Sequence, residues 1–157
     1  MNNNTKNNTL YLTGEGLKKL TKELAELVNV RRPEIASKIR EAREMGDISE
    51  NATYDSAKQE QSFVEGRIAE LEEIVKTAEV TKPSGKDDVG VGNKVTVHIE
   101  GSEEKFHIVG APEADPVNKK ISHESPLGMA LMGKKVGDKI EVEAPVGKLT
   151  YTILNIS

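Results

Sequence analysis

Met45-Gly46-Asp47-Ile48-Ser49-Glu50 stands between two long runs of helical spacing, and its shortness decides how they lie. So brief a connection makes successive helices antiparallel neighbours. On the C-terminal side, Ala57, Val64, Ile68, Leu71, Val75 and Ala78 recur at spacings of seven, four, three, four and three, a coiled-coil seam. On the N-terminal side, Leu17, Leu20, Leu24, Leu27 and Val28 make one stripe, and Ile35, Ile39 and Ala42 resume it. Thr13 is the expected N-cap of that arm. Pro33 lies within it, and a proline removes a hydrogen bond and crowds the preceding turn, so a kink or short break is expected near Asn29 to Arg32. Each arm runs about 40 Å at 1.5 Å per residue, and Gly46 turns the chain at the tip.

The hairpin accounts for residues 10–80. Residues 1–9 are Asn-rich and read as a disordered polar tail. Lys82-Pro83-Ser84-Gly85-Lys86-Asp87-Asp88 closes a linker over residues 81–88. Beyond it the period changes to two. Val95, Val97 and Ile99 alternate with polar residues, Gly101-Ser102 turns the chain, and Phe106, Ile108 and Val109 continue a second strand. Ser125-Pro126 reads as an N-cap with proline at the first helical position, opening a short helix through Leu127, Ala130, Leu131 and Met132 that Gly133 ends. Ile140 and Val142, a Pro145-Val146-Gly147 turn, and Leu149, Tyr151, Ile153 and Ile156 make a last hairpin. The expected fold class is therefore α+β: an N-terminal antiparallel helical hairpin, then a small, mainly antiparallel β domain with one short helix over residues 89–157.

Composition narrows the function. The 157 residues are 36% hydrophobic and 31% charged, with net charge −4. Residues 10–80 carry 11 basic and 15 acidic side chains, and residues 81–157 carry 10 and 11. With no strongly basic segment, free sequence-independent nucleic-acid binding is not expected, because that affinity comes from cations displacing counterions. The absence of cysteine excludes disulfides and thiol chemistry. No apolar run approaches the length of a membrane span, so no membrane partner is expected and the cytoplasm is the default location.

Asp47 and Glu50 are the candidate functional pair. Three residues apart on a helix, their Cβ atoms would lie about 5–6 Å from one another, a spacing at which two carboxylates can share Mg²⁺. The same four residues also match a capping box with Asp in place of Ser or Thr, and acids favour a helix N-terminus for the dipole alone. Spacing alone favours capping, although a capping Glu50 could still point outwards from an exposed tip. Mg²⁺ wants six oxygens and gives up water reluctantly, so two carboxylates on an exposed tip would not hold it stably in the free protein. Any metal chemistry there needs ligands from a partner.

Glu41-Ala42-Arg43-Glu44-Met45-Gly46-Asp47-Ile48-Ser49-Glu50-Asn51-Ala52-Thr53-Tyr54 resembles the tip of the Gre family of bacterial transcript-cleavage factors. Val30 to Ile35 and Glu65 to Ile68 resemble that family's arms. Ile121-Ser122, Ser125 to Gly128 and Gly133 to Asp138 resemble its C-terminal domain. The resemblance implies that this domain is FK506-binding-protein-like and docks at the rim of RNA polymerase's secondary channel. It implies that the hairpin reaches the active centre of a backtracked complex, where Asp47 and Glu50 share a second, weakly held Mg²⁺ and the polymerase cuts the nascent RNA near its 3′ end. Arg43 and Lys58 match the family's basic patch towards that RNA, although ordinary solvated helix surface would look the same. Asn51 and Tyr54 match supporting residues of the tip, and Tyr54 either stacks on a base or braces the tip. Thr53 departs from the acid frequent in the family, and the small basic patch implies release of short RNA fragments.

Two other readings stand beside this one. A proline isomerase would need an aromatic-lined pocket, and residues 81–157 offer only Phe106 and Tyr151. A coiled-coil adaptor whose tip acids merely cap a helix fits the hairpin equally well. No small-molecule substrate is expected. His98, His107 and His123 lack metal-ligand spacing, and Gly90-Val91-Gly92 lacks the helix and Lys-Ser/Thr of a phosphate loop.

Overall fold

A computed structural model describes residues 9–46 and 51–157. The expectations for residues 1–8, and those for Asp47 and Glu50, lie outside the described residues. The fold is α+β, in two compact units: Leu17–Thr77, and the residues up to Gly16 together with Ala78–Ser157.

The helical unit holds most of α1 (Gly14–Glu26), α2 (Arg32–Glu44) and α3 (Ala52–Thr77). Pro33 does not break the first arm. Leu27–Arg31 form a π-helical turn, the Arg32 N–H reaches the Leu27 carbonyl, and α2 follows directly. Proline tolerates only the first turn of a helix, and the wider π turn restarts the hydrogen-bond ladder so that Pro33 falls there. The expected kink or break is thus absorbed as one π turn.

Ion pairs fix the sense of the hairpin. Glu23 meets Arg67, Arg32 meets Glu65, and Lys38 meets Glu60, so one arm rises in number as the other falls. Ile35, Ile39, Ala57, Val64 and Ile68 form its core, with Leu24, Leu27, Val28 and Tyr54 packed on them. The flanking pairs are largely exposed and contribute little singly, about 0–1 kcal/mol; burial of the seam carries the stability.

The second unit is a five-stranded sheet in the order β5-β4-β3-β7-β6, comprising β3 (Lys94–Ile99), β4 (Ser102–Val109), β5 (Lys120–Ser122), β6 (Lys139–Ala144) and β7 (Gly147–Ile156). All neighbours are antiparallel except β4 and β5, which are parallel. Helix α4 (Pro126–Leu131) begins as expected: the Ser125 hydroxyl accepts from the Gly128 N–H, Pro126 follows the cap, and Gly133 lies just past the C-cap at φ 74. Val89, Val95, Val97, Ile108, Leu131, Ile140, Tyr151, Ile153 and Ile156 close the core. The step from Ile153 to Ile156 breaks period two, and the cause is a register shift between β3 and β7. Thr96 pairs with Asn155 and Val97 with Ile153, leaving Leu154 unpaired and 40% exposed.

A parallel pair that periodicity does not announce, β1 (Tyr11–Thr13) and β2 (Glu79–Thr81), also belongs to this unit. Leu12 is fully buried. A Cβ at Gly110 would collide with the Tyr11 carbonyl, so glycine there lets two backbones touch.

Candidate functional site

The last turn of α2 and the first turn of α3 frame the tip. Met45 caps α2, and Gly46 follows at φ 137, a conformation that favours glycine. On the other side Asn51 does two jobs. Its Oδ1 accepts from the Tyr54 N–H at 3.1 Å, which makes it the N-cap of α3, and its Nδ2 donates to the Ala42 carbonyl at 2.7 Å. One side chain therefore ties the first turn of α3 to the last turn of α2. Asn51 caps α3, which starts at Ala52.

Tyr54 is half-buried and packs on the hairpin core. The Arg43 guanidinium lies 5.9 Å from the centre of its ring, within cation–π range. Arg43, Asn51 and Tyr54 thus form one cluster under the tip. Lys58 is not part of it; its ammonium donates to Gln61 Oε1 at 2.9 Å, one turn further along α3. A shallow groove of ≈ 420 Å³ runs beside the cluster, between Lys38, Glu41, Ala42 and Met45 on one arm and Ala52, Thr53, Ser56 and Glu60 on the other. Glu60 is held below the usual carboxylate range, first by the hydrogen bond from Lys38 and also by Arg31.

Among the described residues, no group of three or more His, Cys, Asp or Glu could hold a metal ion, and no helix is long and apolar enough to cross a membrane. Phe106 and Tyr151, the two aromatics of residues 81–157, line one shallow groove with Ile99, Glu100 and Ser102. Lys119 covers the Phe106 ring, 5.6 Å from its centre, and is tied to Glu104 at 2.8 Å. A proline ring would find that aromatic face occupied.

The chain matches two consecutive family models: "Transcription elongation factor, N-terminal" over residues 10–80 and "Transcription elongation factor, GreA/GreB, C-term" over residues 82–157. The chain belongs to the GreA/GreB family of transcription elongation factors. It is 52% identical over 151 residues to transcription elongation factor GreA of Thermoanaerobacter pseudethanolicus, covering 94% of this chain and 96% of that protein. It is 47% identical over 152 residues to GreA of Lactococcus lactis subsp. cremoris, covering 94% and 97%. Among solved structures it is similar to GreA factor homolog 1 of Thermus thermophilus, at 29% identity and TM-score 0.45, covering 95% and 99%.

Within this GreA/GreB-family chain, sequence reasoning singled out Asn51 as support for the tip but missed how it acts. Its signal was present: Asn before a helical run is an N-cap pattern. The bond to Ala42 pairs residues from two arms and had no local signature.

Proposed function

We propose that this elongation factor binds RNA polymerase, extends its helical hairpin through the secondary channel, and stimulates the polymerase's own Mg²⁺-dependent cleavage of backtracked RNA. The protein would then have no turnover of its own, and the cytoplasm, where transcription complexes are, would be its location. The observation that carries this reading is the bond from Asn51 to Ala42, which ties the start of α3 to the last turns of α2 on either side of the segment that holds Asp47 and Glu50 in sequence. Membership of an elongation-factor family supplies the context.

In this mechanism the chain contributes position and charge. Asp47 and Glu50 are hard oxygen donors that suit Mg²⁺ but would fill only part of its shell. When bound, the ion would neutralise developing phosphate charge and activate water. Asn51 joins the two arms beside the tip, and Tyr54 beneath Arg43 stiffens that junction. Arg43 and Lys58 present positive charge on the two arms, the sign that attracts an extruded RNA 3′ segment.

The test is RNA cleavage in stalled, backtracked polymerase complexes with Mg²⁺. The wild-type chain should accelerate it, and Asp47→Asn or Glu50→Gln should remove the acceleration while polymerase binding survives. Full acceleration by both variants would overturn the metal-sharing reading, and no acceleration by the wild-type chain would leave the adaptor reading standing.

A further inference from the structure

A second charged site lies on the β unit, far in sequence from the tip acids. Lys94, Lys105, Lys119 and Lys120 line a groove of ≈ 430 Å³ together with Asn118 and His107. The pairing registers explain the convergence. Lys94 lies opposite His107 across β3 and β4, and His107 lies opposite Lys120 across β4 and β5. Lys105 is two residues before His107 on the same strand. Side chains at these positions share one face of the sheet. The neighbouring Lys119 is set by a turn at φ 58, a conformation that disfavours most side chains.

Folding does not account for this arrangement. Like charges on adjacent strands repel, and among the described residues only Lys119 of the four is ion-paired, to Glu104. Glu15 is the one acid among the lining residues. His107 registers the resulting field. Its pKa lies below the usual histidine value, first through burial and then through Lys94, with Lys120 adding to it and with a backbone bond at Gly92 and the Glu113 charge opposing it.

We infer that this groove is a binding site for the carboxylates of an acidic, extended segment of a protein partner. Three observations favour a peptide over a nucleic-acid strand. Apart from the four groove lysines, residues 81–157 carry 6 basic (10 − 4) and 11 acidic side chains, so beyond the groove acids outnumber the cations that a continuous phosphate chain needs. This region has no arginine, the residue suited to bidentate phosphate contacts. The nearby aromatic ring, Phe106, is covered by Lys119 and offers no open face for a base. Discrete carboxylates need only the ammonium groups of Lys94, Lys105 and Lys120, with Lys119 at the edge tied to Glu104. The inference requires neither the tip nor a metal, so it stands or falls apart from the cleavage mechanism.

The experiment uses the full chain and a fluorescein-labelled octaglutamate peptide, followed by anisotropy at low and at physiological salt. The peptide should bind with an affinity that falls as salt rises. Lys105→Glu with Lys120→Glu should weaken it at least tenfold. Lys139→Glu with Lys148→Glu, the same charge change on β6 and β7, should alter it less than twofold. Lys105→Met with Lys120→Met keeps the apolar stems and should also lose most binding, which separates lost charge from lost fold; circular dichroism confirms the fold of each variant. The His107 imidazole NMR signals should move on peptide addition. Absence of peptide binding at low salt, equal loss in the β6–β7 variant, or equal or tighter binding of octauridylate would each overturn the proposal.

Discussion

Glu113 completes the N-cap of a helix that begins a hundred residues earlier in the chain. Thr13 Oγ1 accepts from the Gly16 N–H at 3.0 Å, as an N-cap should. In a capping box the third helical residue would return an acid to the cap's own N–H. That residue is Gly16, which has no side chain. Glu113 takes the part instead: its Oε2 accepts from the Thr13 N–H at 2.8 Å, and its Oε1 accepts from the Thr13 hydroxyl. A Cβ at position 16 would overlap the Glu113 carboxylate, so glycine there is what admits the distant acid.

This arrangement predicts epistasis of opposite sign. Gly16→Ala should destabilise the wild-type chain by about 1–3 kcal/mol, because it expels the carboxylate from a buried cap. Glu113→Ala alone should cost about 1–2 kcal/mol. In the Glu113→Ala background, Gly16→Ala should instead stabilise by about 0.5–1 kcal/mol, the ordinary preference of a helix for alanine. Denaturant midpoints of the four proteins test this, and additive costs would sink it.

Asn51→Ala should lower hairpin stability by about 1–2 kcal/mol, since it removes both the cap of α3 and the bond to Ala42. Asn51→Asp keeps the acceptor for Tyr54 but loses the donor to Ala42. Its hydrogen exchange in α3 should stay near wild type while cleavage stimulation falls. Wild-type cleavage by Asn51→Asp would show that the neck need not be closed.

Tyr54 meets the core with its ring, so Tyr54→Phe should change stability by less than about 0.5 kcal/mol, whereas Tyr54→Ala should cost about 2 kcal/mol. A bracing role predicts that Tyr54→Phe also retains cleavage. Loss of cleavage in a stable Tyr54→Phe protein would assign the hydroxyl a contact beyond the hairpin.

Acid should loosen the hairpin through Glu60 and Glu65. Both carboxyls titrate below 4.5 in the folded chain, Glu60 chiefly through Lys38 and Glu65 chiefly through Arg32. A depressed folded pKa gives stability that is fully present above the unfolded value near 4.5 and lost as pH falls through the folded value. These two groups should therefore leave the stability of the hairpin unchanged above pH 5 and lower it below 4.5, read from hydrogen exchange in α2 and α3. Glu60→Gln should make that drop shallower, and an unchanged acid profile would argue against the pairings.

How much of this was legible depended on whether the signal was local. The seam of Ala57, Val64, Ile68 and Leu71 repeats within one helix, and all four are buried. Ser125-Pro126 spelled out its own helix start. The π turn before Pro33 was only half legible: proline announces trouble in a helix, but π turn and break are both local solutions, and packing of Ile35 and Ile39 on α3 favours keeping the helix. β1, β2 and β5 have three residues each, too few to show period two. At the tip, helix spacing made Asp47 and Glu50 candidates, while the bond from Asn51 to Ala42 joins two arms and has no sequence period. The lysine groove was hidden for the same reason, because Lys94, Lys105 and Lys120 meet through strand register alone.

The shared cap also bears on how such a protein can be taken apart. The two family segments meet between residues 80 and 82, yet the acceptor for Thr13 lies at Glu113 and the backbone of Tyr11 rests against Gly110. A chimera that joins one relative's residues 10–80 to another's C-terminal half recombines Gly16 with a foreign position 113. Exchange of Leu17–Thr77 alone leaves Thr13, Gly16 and Glu113 from one parent. The evolutionary seam and the mechanical seam of this chain are different places, and grafts should follow the second.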